Sequence, residues 1–150
     1  MKGDHREEAR SRLSVGLAIG RLRPTHTHSG PTTPTPVPVL ATSAEEIVGT
    51  WRGEWSNGMY QRINEDGSWI VAFKLKDLET SPGALLTCRF EGSNLLLTEV
   101  DGVGDFPSCG TDTATYQVQL LEGGRIKFLA RQDDCEKRRI ATAQVHKRVE

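Results

Sequence analysis

Beyond residue 43 the apolar side chains of this chain recur mostly at every second position, in short runs broken by Gly, Asn, Asp and Ser. That period belongs to half-buried β-strands, and no helical periodicity of useful length competes with it. Residues 59–64 and 69–75 flank Glu65-Asp66-Gly67, a three-residue hairpin loop with glycine where a positive φ is wanted. That loop length sets Ile63 opposite Trp69, Gln61 opposite Val71 and Met59 opposite Phe73, all on one face. Residues 84–90 alternate Leu86, Cys88 and Phe90 against Thr87 and Arg89, and Glu91-Gly92-Ser93 turns the chain into residues 94–100. After a Gly/Asp-rich loop, residues 113–121 and 125–131 flank Glu122-Gly123-Gly124. A three-residue loop there sets Leu120 against Ile126, Val118 against Phe128 and Tyr116 against Ala130. A two-residue loop would face glutamines against those side chains, so the longer one is preferred. Residues 139–149 complete the series as a last strand, with Ile140, Thr142, Gln144 and His146 on one face and Ala141, Ala143 and Val145 on the other.

The series opens at Ser43-Ala44-Glu45-Glu46, where a serine caps a first helical turn and a glutamate three residues on can reach back to it. Gly49 then redirects the backbone, and Trp51, Gly53 and Trp55 share one face of an extended segment. A helical turn that plugs one end, with a tryptophan as floor, suits a small closed barrel. The prediction is an all-β fold: eight up-and-down antiparallel strands, closed so that no sheet edge is exposed. Such an interior is either filled by side chains or holds one small ligand. The candidate cavity lining is Trp55, Gln61, Trp69, Phe73, Phe90, Tyr116, Phe128 and Ala143, with Gln61 or Tyr116 as a polar handle.

Composition adds boundaries. A chain of 150 residues with 26% charged side chains has room for one domain, and a net charge of -1 gives no reason to expect nucleic acid or an anionic membrane as partner. Residues 1–43 nevertheless carry +3, which leaves -4 on the rest. The front end is therefore read as a disordered basic leader or linker, and residues 44–150 as the barrel, expected to be a monomer. Residues 13–20 resemble the apolar core of an export signal, although acids precede them and Arg21 and Arg23 follow. Residues 23–43 are rich in Pro and Thr, favour extended conformations and offer nothing to a core. His26 and His28 are read as solvated rather than metal-bound, and no apolar run is long enough to span a bilayer.

Several motifs, in order, carry a family resemblance. Gly49-Thr50-Trp51 after a helical turn resembles the Gly-x-Trp element that opens lipocalins and related calycin barrels. Asp66-Gly67, Phe90-Glu91-Gly92, Cys109-Gly110 before Tyr116, and the run from Asp133 to Arg138 resemble bacterial lipocalin-like domains over about residues 44–150. The Thr-Asp-Tyr-like loop of the lipocalins proper is absent. The resemblance implies that an arginine late in the chain packs across Trp51; Arg138, Arg139 and Arg148 are candidates, and Arg138 matches the pattern best. It also implies a small hydrophobic ligand. The segment from Gly49 to Trp55 resembles, in addition, the start of nitrobindin-like haem barrels, in which a histidine near the C-terminus ligates iron. His146 is the one candidate in the folded body, although it is read as a rim or surface residue.

In the preferred register Cys109 and Cys135 lie just beyond the open end of one hairpin, close enough to bridge, which implies an oxidising, extracytoplasmic setting. A metal site is the rival, without further ligands at suitable spacing. Cys88 is expected to be a buried free thiol. Catalytic signals are largely missing: the acids cluster in turns, no Ser-His or Cys-His pair is evident, and Gly102, Gly104 and Gly110 precede no helix. The expected function is a non-catalytic barrel that binds a small hydrophobic molecule, without a cofactor. The alternatives are a haem barrel, a small barrel that catalyses by shape, and a filled structural domain.

Overall fold

Two hairpins set the register of the sheet. Ile63 pairs with Trp69 and Gln61 with Val71 around the first loop. Around the second, Leu120 pairs with Ile126, Val118 with Phe128 and Tyr116 with Ala130. Both registers are those the three-residue loops predict, and Gly67, Gly123 and Gly124 adopt the positive φ that such loops need.

A computed structural model describes residues 29–55, 58–100 and 102–149. The expectations for residues 13–20 and for His26 and His28 lie outside the described residues. The elements run β1 (Val39–Leu40), one turn of 3-10 helix (Ala44–Glu46), β2 (Gly49–Gly53), β3 (Tyr60–Ile63), β4 (Ser68–Ala72), α1 (Asp77–Thr80) and β5 (Ala84–Glu91). They continue with β6 (Asn94–Glu99), β7 (Ala114–Leu121), β8 (Arg125–Gln132), α2 (Glu136–Thr142) and β9 (Val145–Val149). Neighbouring strands pair in the order β7-β6-β5-β4-β3-β2-β9-β8, and β8 pairs back onto β7, so eight antiparallel strands close into a barrel. None of the described helices is long and apolar enough to cross a membrane.

One end of the barrel is plugged as expected. Glu46 accepts the Ser43 backbone N–H at 3.0 Å, which holds the 3-10 turn, and Ile47 drops into the core. Trp51 is buried beneath the strands and donates its indole N–H to the Ile47 carbonyl at 2.8 Å. Ile63, Leu95, Val118 and Ile126 fill the space above it.

Three differences have local causes. The compact unit begins at Pro36, ahead of residue 44. β6 pairs with β7 only at residues 114–116, and β1 takes up the vacant edge of β7 at Gln119 and Leu120. Ala41, fully buried, follows it into the core, so the end of the Pro/Thr stretch does contribute to packing. Residues 77–80 of the polar connection form a single helical turn, α1. Most consequential, residues 136–142 are helical, where one strand over 139–149 was expected. Glu-Lys-Arg-Arg are good helix formers, with an acid in the first turn and Arg139 in the last, both favourable to the helix dipole.

Candidate functional site

Above the filled floor the interior opens into a cavity of about 290 Å³. Its walls come from the inward faces of β3 to β6 and β9, chiefly Gln61, Trp69, Val71, Leu86, Leu97 and His146. Its rim is made by α2, which supplies Lys137, Arg138, Ala141 and Thr142, and by the loop after β6, which supplies Asp105, Phe106, Pro107 and Cys109. The Cys109–Cys135 disulfide joins these two rim segments. It is the bridge the hairpin register predicts. Phe106 leans on Phe73 at 4.5 Å between ring centroids, and its ring lies against Gly83, where a Cβ would meet it at 2.2 Å. Gly83 therefore has no room for a side chain unless Phe106 moves.

The structure separates the residues expected to line the cavity. Gln61, Trp69 and Phe73 do face it, Phe73 at the mouth and 66% exposed. Trp55 is 53% exposed and stands outside, because β2 ends at Gly53. Phe90 is half-buried and packs against the core away from the cavity. Phe128 is buried beside the cavity, within 5.1 Å of Trp69 and 5.2 Å of His146 between ring centroids. Tyr116 is buried too, but its hydroxyl serves the rim by donating to Asp133. Ala143 is exposed: it follows α2, so the strand alternation that placed it inside does not reach it.

The arginine over Trp51 is Arg148, not Arg138. Arg148 and Trp51 are direct cross-strand partners, and the guanidinium lies 4.4 Å from the centre of the ring. Its Nη1 donates to the Val48 carbonyl at 2.7 Å. Gly49, at φ 137°, leaves the passage: a Cβ there would meet Arg148 Nη1 at 2.2 Å. Arg138, carried by α2, instead grips Asp133 in a bidentate pair with both contacts at 2.8 Å. Burial pushes the Asp133 carboxyl upward, but the hydrogen bonds from Arg138, Tyr116 and the Cys135 backbone outweigh it and hold the group below the usual carboxylate range. Burial, reinforced by Asp133, pushes the Tyr116 phenol up to about 12.

His146 is the residue that sequence reasoning misplaced. It is buried, 3% exposed, with its ring at the cavity, and burial pushes it down to about 4, so the imidazole is neutral at pH 7. A signal for this was present. If Arg148 covers Trp51, period two puts His146 on the same inward face, opposite Gly53. Cys88 is free and buried, and burial raises its thiol to about 11. That is the inert small hydrophobe expected.

Three buried side-chain atoms have no hydrogen-bond partner among the described residues: Gln61 Nε2, Arg138 Nη1 and His146 Nδ1. All three belong to cavity-lining residues. No cluster of three or more His, Cys, Asp or Glu among the described residues could hold a metal ion. His146 is the kind of residue a haem barrel requires, and its ring lies at the cavity.

Set against protein-family models, curated proteins and solved structures, the chain matches none.

Proposed function

We propose that this protein is a lipocalin-like, non-catalytic barrel that takes one small, mostly apolar molecule into the cavity under α2. The observation that carries this reading is the half-filled interior. Below Trp69 the barrel is packed with aliphatic side chains, whereas above it Val71, Leu86, Leu97 and Phe106 surround 290 Å³ without filling it. A dry structural domain has no reason to maintain such a space, since lost packing contacts cost stability. The cavity lies at the small end of the range for ligand sites, which suits a compact ligand. The stack of Arg148 on Trp51, in the place where lipocalin-like barrels carry an arginine, supports the family reading. The disulfide at the rim supports work in an oxidising, extracytoplasmic setting.

Butylbenzene, with ten carbon atoms, is a suitable probe. Titrated into the protein while tryptophan emission is followed, it should give a saturable change that Trp69→Phe removes. Leu97→Trp, which fills the cavity, should abolish binding with the fold intact. A wild-type protein with no saturable response to butylbenzene or to polar analogues of the same size would overturn the proposal.

A further inference from the structure

The polar groups of the cavity specify more than an apolar occupant. Gln61 has a fixed orientation: the Trp69 indole N–H donates to its Oε1 at 2.9 Å, and an indole nitrogen can only donate. The amide nitrogen is therefore the end left without a partner, and the residue is only 5% exposed. Arg138 is 8% exposed, and the Asp133 pair uses its Nε and Nη2, which leaves Nη1 unpaired. Two residues of one largely apolar cavity thus each keep a buried donor with no partner among the described residues. A buried donor without a partner costs the full desolvation of that group, roughly 1–3 kcal/mol in general terms.

Charge decides what kind of acceptor suits them. The guanidinium of Arg138 is already matched by the two oxygens of Asp133. Glu99, itself buried, lines the same cavity, and among the described residues its carboxylate accepts only the Cys109 N–H at 2.9 Å. Asp105 and Lys137 stand at the rim with opposite charges. The neutral ring of His146 supplies no positive charge. With Asp133 included, the cavity surroundings hold three acids against two bases, so a carboxylate head would be repelled on balance. A cation would leave both donors unused.

We infer that the ligand is an uncharged apolar molecule bearing a carbonyl-type oxygen, which accepts hydrogen bonds from Gln61 Nε2 and Arg138 Nη1. This rests on the binding-barrel reading above and narrows it: a fatty-acid-like anion is the wrong head group, and a pure hydrocarbon leaves the donors unpaired.

Three aryl-alkyl probes of nearly equal size test it: butylbenzene, the ketone benzylacetone and the carboxylate hydrocinnamate. Benzylacetone should bind at least as tightly as butylbenzene, although it is the more water-soluble of the two, and at least tenfold tighter than hydrocinnamate. Its carbonyl stretch should move to lower frequency in the bound state, a readout that needs no variant. Gln61→Glu, which keeps an acceptor for the Trp69 indole but replaces the amide donor with an acceptor, should weaken benzylacetone at least tenfold. If butylbenzene saturates but benzylacetone binds more weakly, or with an unshifted carbonyl band, the inference falls and the binding barrel stands. Hydrocinnamate binding more tightly than the ketone also overturns the inference. If none of the probes saturates, both fall.

Discussion

At the floor of the barrel three polar groups near Trp51 are paired: the indole N–H on Ile47, the guanidinium of Arg148 on the ring and on the Val48 carbonyl, and Glu46 on the turn ahead of it. At the mouth the count is different. Gln61, Arg138 and His146 each keep one buried atom without a partner beside a space that no side chain fills. Both ends belong to the same closed sheet, so the contrast does not come from the sheet alone. It comes from what crosses each end: a short turn that drops Ile47 inward, against a helix and a loop that arch over. The floor satisfies itself, whereas the mouth keeps both space and unpaired groups among the described residues.

The sharpest way to break this contrast is Trp51→Ala. Loss of a fully buried tryptophan at a closed floor should cost about 3–5 kcal/mol, read as a fall in the urea midpoint. A cost below about 1 kcal/mol would mean that the stability of the barrel does not reside there.

Next is the pH response of the mouth. His146 sits at about 4 in the fold against 6.5 as its ordinary value. Between those two pH values the unfolded chain binds a proton that the folded chain refuses, so stability falls as pH falls. The full contribution holds above pH 6.5 and about 3 kcal/mol of it is lost by pH 4, at 1.36 kcal/mol per pH unit. His146→Phe should flatten urea midpoints across that window. An unchanged slope in the variant would show that the ring is not held neutral inside the barrel.

The smallest effect belongs to the stack. Arg148→Lys keeps the charge but loses the flat contact with Trp51, so it should cost about 1 kcal/mol and leave butylbenzene affinity unchanged. A change in ligand affinity of the same size as the stability loss would join the two ends that the structure separates.

Most of the barrel was legible because hairpins are local. Loop length and period two suffice to pair Ile63 with Trp69 and Val118 with Phe128, and the turn glycines mark where each strand ends. The cysteine bridge followed from the same register. What escaped depends on distant contacts. β1 is two residues long and exists only because β6 stops short along β7. α2 interrupts an alternation that reads plausibly as strand, and once residues 136–142 are helical, Ala143 turns outward and Arg138 moves from the floor to Asp133. His146 was misread for the same reason: its face was counted from Ile140 rather than from its partner Gly53.

The bridge between Cys109 and Cys135 has one more consequence. It ties the two arching segments into a single hoop, so neither can swing aside alone as a door would. Any motion of one arch is thereby handed to the other, and a thiol reductant, by cutting the bond, would let the two move independently.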